Sequence, residues 1–313
     1  MKLALIFPGQ GSQEIGMLAD LATRYPVVQQ TFAQASKILG YDLWQLAQTG
    51  PEEILNQTDK TQPVLLAAEI AIWRIWQQQG GLRPVLLAGH SFGEYSALVV
   101  AESLTFADAV QLAQDRGRFM QNAVPLGIGA AAAILGLEDA VIIAVCEQAA
   151  QGEVVTAVNF NAPGQVVIAG HKSAVERAMS QAKTAGAKRT VLLPVSVPVH
   201  CALMRPAAEQ MAQRLTQTSF ATPQIPVIHN VDLSTKTDPA DIRQALSAQI
   251  DHPVRWSETL QKMAQAGVTH VGECGPGKVL TGLTKRIVKD LIALPLTDLK
   301  TLEHALQTVN TPA

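Results

Sequence analysis

The chain has 313 residues, 48% of them hydrophobic and 16% charged, enough for a sizeable core and more than the ~150 residues usual for one domain. A formal net charge of −2 supplies no global field for nucleic acid. The three cysteines, Cys146, Cys201 and Cys274, lack the spacing of a disulfide framework or a thiolate zinc site.

Short apolar runs alternate with helical stretches, the pattern of an α/β protein with a largely parallel sheet. The first run, 3–7, reads as a buried strand, and Pro8 and Gly9 interrupt it too soon for a signal-peptide core. Longer apolar runs are broken by charge at Glu69, Arg74, Glu102 and Glu138, so no membrane span is expected and a cytoplasmic protein is. The loop Pro8-Gly9-Gln10-Gly11-Ser12 leaves the first strand at its carboxyl end, where α/β sheets place their ligands. Helices over 51–56 and 62–79 lead into a second buried strand over 85–88.

That strand runs into Gly89-His90-Ser91-Phe92-Gly93, a G-x-S-x-G pattern ahead of a helix-forming stretch. On such a turn, glycine neighbours let the backbone bend and leave the serine oxygen exposed, while the helix turns its free N–H groups toward a developing oxyanion. Ser91 is therefore a candidate nucleophile, against the plainer reading of a glycine-bracketed turn with a solvent-facing serine. A helix over 106–123 follows.

Between residues 124 and 197 the order changes to strand 129–135, helix 138–150, strands 154–160 and 165–169, helix 172–185 and strand 189–194. The turn Asn161-Ala162-Pro163-Gly164 separates the two central strands. This βαββαβ order is ferredoxin-like, so 124–197 is expected to form a small domain inserted into a large one made of 1–123 and 198–313. A cleft between the two would suit an acyl group. Helices over 204–218 and 238–249 and strands over 226–230 and 269–273 belong to the large domain.

A nucleophilic serine needs a base, and seven histidines are available. His90 neighbours Ser91, but the elbow aims it elsewhere, as a packed turn residue. His171, His229, His252, His270 and His304 carry no distinctive signal. His200 ends Pro194-Val195-Ser196-Val197-Pro198-Val199-His200, a rigid segment passing from the small domain to the large one, and a positioned base requires rigidity. No Asp or Glu presents itself as its orienting partner. Cys201 reads as packing, since adjacent residues in an extended segment face opposite sides.

Phe7-Pro8-Gly9-Gln10-Gly11-Ser12-Gln13, Gly89-His90-Ser91-Phe92-Gly93-Glu94, Asp115-Arg116-Gly117, Pro198-Val199-His200 and Gly275-Pro276-Gly277-Lys278 occur in the order seen in malonyl-CoA:acyl-carrier-protein transacylases. With Asn159-Phe160-Asn161-Ala162-Pro163-Gly164-Gln165 in the insert, the sequence resembles that family over nearly its whole length. The resemblance implies a hydrolase-like α/β domain carrying a ferredoxin-like insert. It implies malonyl transfer from malonyl-CoA to the phosphopantetheine thiol of acyl carrier protein through a malonyl-serine, in fatty-acid synthesis, with no metal or other cofactor. A monomer that binds neither nucleic acid nor membrane is expected.

Residue by residue, the resemblance makes Ser91 the nucleophile, His200 the base, and the main-chain carbonyl of Gln249 the group that holds the histidine. The main-chain N–H groups of Gln10 and Phe92 would form the oxyanion hole. Arg116, alone a solvated helix charge, would pair with the malonyl carboxylate, with Gln62, His90 and Met120 also at the substrate. Arg118 is its internal control. Lys188 and Arg189, with Lys285 and Arg286, are candidate flanks for the acidic carrier protein, although such pairs usually mark a solvated face. Many relatives have leucine at the position of Phe92, which would contribute only its backbone N–H, and serine at that of Val199, which leaves acyl selectivity open.

Two other functions share these residues. A serine thioesterase or lipase would use Ser91 and His200 but pass the acyl group to water. A non-catalytic acyl-carrier-binding module would keep the cleft and tolerate loss of Ser91.

Overall fold

The computed structural model describes residues 1–125, 127–195 and 197–310. Ser196, within the segment leading to His200, lies outside the described residues, as do the last positions of the 198–313 span. Strand β1 (Leu3–Phe7) pairs in parallel with β2 (Leu86–Gly89). Strands β3 (Gly129–Leu135), β4 (Val155–Ala162), β5 (Gln165–His171) and β6 (Arg189–Leu192) form a separate antiparallel sheet of order β4-β5-β3-β6. Strands β7 (Val227–Ile228), β8 (His270–Glu273) and β9 (Ile292–Pro295) return to the first sheet, whose parallel order is β7-β2-β1-β8-β9.

All five residues of β1 are buried because the parallel sheet is covered on both faces. Leu3, Leu5 and Phe7 join one core cluster, and Ala4 and Ile6 join another on the opposite face. The same period of two organises the small sheet. Ala130, Ala132 and Ile134 pack with residues of the helices Asp139–Ala150 and Lys172–Thr184, while Ala131, Val167 and Ala169 turn the other way, toward Cys201. The small sheet meets the large body along β4, where Phe160 N–H donates to the Val254 carbonyl at 3.0 Å and Val254 N–H to the Val158 carbonyl at 2.8 Å.

Several bounds differ from those read in the sequence. The long helix spans Thr58–Gln78, starting before 62 and carrying Pro63 inside it, because Lys60 and Thr61 N–H groups already find the Gln57 carbonyl. Strand β7 is only two residues long, since His229 and Asn230 leave the ladder to bind Glu94. Strand β9 and the helix Leu299–Asn310 complete the parallel sheet edge, where Ile292 is exposed and alternation is weak. Among the described residues, no helix is long and apolar enough to cross a membrane.

Candidate active site

Strand β2 delivers Ser91 to the turn before the helix Gly93–Val100. Ser91 has φ of 51°, a left-handed conformation that a residue with a Cβ adopts only at a cost. The flanking glycines act differently from what the motif suggests. Neither is among the positive-φ glycines, so the sharp bend is borne by Ser91 itself. What Gly89 and Gly93 supply is space: a Cβ on Gly89 would lie 1.8 Å from the Gly93 carbonyl carbon, and one on Gly93 would lie 2.2 Å from the Phe7 oxygen. The first strand, the second strand and the helix thus meet backbone to backbone.

The Ser91 hydroxyl lies 2.7 Å from His200 Nε2, and His200 Nδ1 lies 2.7 Å from the Gln249 carbonyl. A carbonyl only accepts, so Nδ1 carries the proton and Nε2 is left to accept from the serine. His200 is 1% exposed. Burial chiefly, and then the neighbouring Arg116 charge, lower its pKa to about 3, against the raising effect of the Gln249 carbonyl. The imidazole is therefore neutral and ready to accept a proton at neutral pH.

Arg116 projects from the helix Phe106–Asn122 and is 1% exposed, so it is not a solvated helix charge. Its Nη2 donates to Gln249 Oε1 at 2.9 Å and lies 3.3 Å from Ser91 Oγ. The guanidinium also sits 5.7 Å from the centre of the Tyr95 ring. Arg118, two residues on, is exposed and pairs with Asp115 at 2.8 Å.

These groups open onto a cavity of about 160 Å³ between the two sheets. Gln10, Gln62, His90, Phe92 and Met120 line it on the large-sheet side, and Ala131, Asn159 and Val167 on the small-sheet side. Among the described residues, the main-chain N–H groups of Gln10 and Phe92 have no protein acceptor. Gln62 Nε2 contacts Met120 Sδ at 3.8 Å. His90 packs edge-on to Trp256 and holds Asn161 Oδ1 at 2.8 Å, so it tethers the elbow to β4 as well as lining the cavity.

The acyl transferase domain family matches residues 4–300. The malonyl CoA-acyl carrier protein transacylase of Salmonella typhimurium is 58% identical over 305 residues, 97% of this chain and 99% of that protein. The chain belongs to this acyl transferase family. An acyl carrier protein S-malonyltransferase from Vibrio cholerae, 60% identical, superposes with a TM-score of 0.95 over 97% of this chain and 99% of that one. A malonyl-transacylase solved in complex with a type II PKS acyl-carrier protein, 56% identical, superposes with a TM-score of 0.98 over 98% of this chain and 100% of that one.

In this acyl transferase none of the four basic candidates lines the cavity. Arg189 pairs across β3 with Leu135, Leu135 pairs with Gln165, and the Arg286 guanidinium bonds Gln165. Lys188 and Lys285 are exposed beside them in sequence, whereas it is Leu193, beyond the other end of β6, that lines the cavity. Cys201 is buried with its thiol 3.1 Å from the Pro198 carbonyl, and burial pushes that thiol up to about 11, consistent with packing. Among the described residues, no group of three or more His, Cys, Asp or Glu side chains is placed to hold a metal ion.

Sequence reasoning passes over four groups that the acyl transferase fold gathers beneath the elbow: the side chains of Glu94, His229, Asn230 and Gln249. Asn230 Oδ1 accepts from Ser91 N–H at 2.7 Å, and its Nδ2 donates to the Gly89 carbonyl at 2.7 Å. The available signal is Glu94 itself, the one charged residue of its helix, which must find donors if it is buried.

Proposed function

We propose that the chain transfers the malonyl group of malonyl-CoA to the phosphopantetheine thiol of acyl carrier protein through an ester on Ser91. The observation that carries this reading is a buried guanidinium 3.3 Å from the nucleophilic hydroxyl. A cation set beside the nucleophile in a small enclosed cavity selects acyl groups that end in a carboxylate.

In the first half-reaction the Ser91 oxygen attacks the thioester carbonyl as its proton passes to His200 Nε2. The N–H groups of Gln10 and Phe92, both without a protein acceptor, are available to the oxyanion. Collapse of the tetrahedral intermediate breaks the carbon–sulfur bond, and His200 returns the proton to the departing CoA thiolate. In the second half the carrier thiol gives its proton to His200 and attacks the ester; the carbon–oxygen bond to Ser91 breaks and His200 returns the proton to the serine oxygen, regenerating its hydroxyl. The Gln249 carbonyl holds Nδ1–H throughout, which is why no carboxylate is needed behind the histidine. Malonyl-CoA is a substrate, and the scheme requires no metal or cofactor.

Residues 1–123 with 198–313 are read as the catalytic domain and 124–197 as its insert, a division supported by the separate hydrophobic cluster of the small sheet. We assign the protein to the cytoplasm as a monomer serving fatty-acid elongation, without nucleic-acid or membrane partners. The basic row formed by Lys188, Arg189, Lys285 and Arg286 is the surface offered to the acidic carrier protein.

Incubation with malonyl-CoA followed by intact-mass measurement tests the function. A long-lived malonyl adduct is expected, and it should vanish in Ser91→Ala. Free malonate released without an adduct would make the protein a hydrolase, and neither adduct nor turnover would make it a binding module.

A further inference from the structure

Directly beneath the elbow lies a carboxylate with no part in the scheme above. Glu94 is completely buried in the first turn of the helix Gly93–Val100 and does not line the cavity. Its Oε1 accepts from His229 Nδ1 at 2.5 Å. Its Oε2 accepts from the Asn230 main-chain N–H at 3.1 Å and from Gln249 Nε2 at 2.8 Å.

Two of these partners carry the constraint to the reacting groups. The Gln249 amide nitrogen is committed to Glu94 and, at 2.9 Å, to the Ser91 carbonyl, so its Oε1 faces Arg116 Nη2. A carboxylate only accepts, which leaves the carboxamide no alternative orientation. Asn230, held through its own N–H, spends its side chain on Ser91 N–H and the Gly89 carbonyl, the two sides of the strained turn.

We propose that Glu94 is a positioning residue for acyl selection: through Gln249 it fixes the Arg116 guanidinium beside the nucleophile, and through Asn230 it holds Ser91 in its left-handed conformation. The role rests on the malonyl-transfer reading given above. It has an electrostatic side as well. Burial works against the charge of Arg116, and the Glu94 charge is among the groups that offset it, with one carboxamide bridging the two.

Glu94→Gln keeps the shape but removes the negative charge, so the hydrogen bond from Gln249 Nε2 loses its charge assistance and the offset to the buried Arg116 charge is lost. The expected result is a fall of about 10- to 100-fold in kcat/KM for malonyl-CoA, the range for one hydrogen bond to a charged group. Acetyl-CoA lacks the carboxylate and should lose much less, so the malonyl-to-acetyl ratio drops. In an Arg116→Ala background, Glu94→Gln should leave that ratio unchanged. Equal losses for both substrates would overturn the role in acyl selection, since loosening the Ser91 turn alone slows both alike. Should Glu94→Gln fail to fold, Gln249→Met keeps the carbonyl that holds His200 and should lower the same ratio; an unmoved ratio there also overturns it. A wild type that forms the malonyl adduct while Glu94→Gln keeps its ratio rejects the positioning role alone, whereas a wild type without an adduct rejects the function and this role with it.

Discussion

The guanidinium of Arg116 and the hydroxyl of Ser91 stand 3.3 Å apart, so the group that would recognise a carboxylate and the group that would attack a carbonyl share one space. In a malonyl thioester a single methylene separates those two functions, which suits a clamp placed beside the nucleophile. Chemistry and recognition are then separable by mutation, although they occupy neighbouring atoms.

Arg116→Ala should strand the malonyl carboxylate in a desolvated cavity, and losing one partner of a buried ion pair costs about 3–5 kcal/mol. Malonyl transfer should therefore collapse, while acetyl transfer, which gains nothing from the guanidinium, should be equal or improved. Arg118→Ala, removing an exposed pair with Asp115, should change neither. The check is kcat/KM for both acyl-CoA substrates in the three proteins, and an equal loss for both in Arg116→Ala would make the arginine structural.

The pH dependence should lack the usual histidine step. With His200 lowered to about 3 by burial and then by Arg116, the base is already free well below neutrality. Single-turnover acylation by acetyl-CoA should stay level through about pH 6.5, where an ordinary histidine titrates. Stability moves the other way. The unfolded chain takes up a proton at this position near the ordinary value while the fold refuses it until about 3, so stability falls as pH drops through that window. The slope is at most about 1.4 kcal/mol per pH unit for one proton. Denaturant titrations should show a shallower slope in His200→Gln, with His90, also lowered by burial, contributing in the same sense.

His200→Ala should slow both half-reactions if, as proposed, one imidazole serves attack by Ser91 and attack by the incoming thiol. The double variant with Ser91→Ala should be scarcely worse than either single one, because groups that act as a unit are not additive. Rates for adduct formation and for adduct transfer measure the two steps, and strictly multiplicative losses would place His200 outside the reaction.

Glycine substitutions should separate space from backbone freedom. Gly89→Ala and Gly93→Ala each drive a Cβ into backbone and should sharply lower the melting temperature. Gly282, inside the helix Val279–Ile287, has open space around its missing Cβ and no positive φ. Gly282→Ala should stabilise by about 0.5–1 kcal/mol. Thermal melts of the three variants decide it.

The parallel sheet is legible in the sequence because a doubly covered strand such as Leu3–Phe7 reads as an unbroken apolar run. The insert is legible because Pro163 and Gly164 punctuate two strands, although Asn161 and Ala162, read as part of the turn, are the end of β4. Ile292–Pro295 is not, being short and half-open at the sheet edge. In the site, Ser91 and His200 are marked by local rigidity, but the carbonyl of Gln249 that meets His200 leaves no trace in residue type, since every residue carries one. Glu94 and His229 are 135 positions apart, and their burial together is a property of the packed sheet and helix, not of any local pattern.

The contact along β4 bears on how such proteins can be rebuilt. Val254 bridges to β4 through its own N–H and carbonyl, His90 reaches Asn161, and Arg286 bonds Gln165 beside the turn, so three separate stretches of the large body are stitched to one edge of the insert. A chimaera that imports residues 124–197 from a relative would import half of each stitch. The stitch at 254 is main chain to main chain and tolerates a change of side chain, so grafts would keep their grip when the residues at 90 and 286 travel with the cassette, and because His90 and Asn159 also line the cavity, its width in such hybrids would be decided at that same edge.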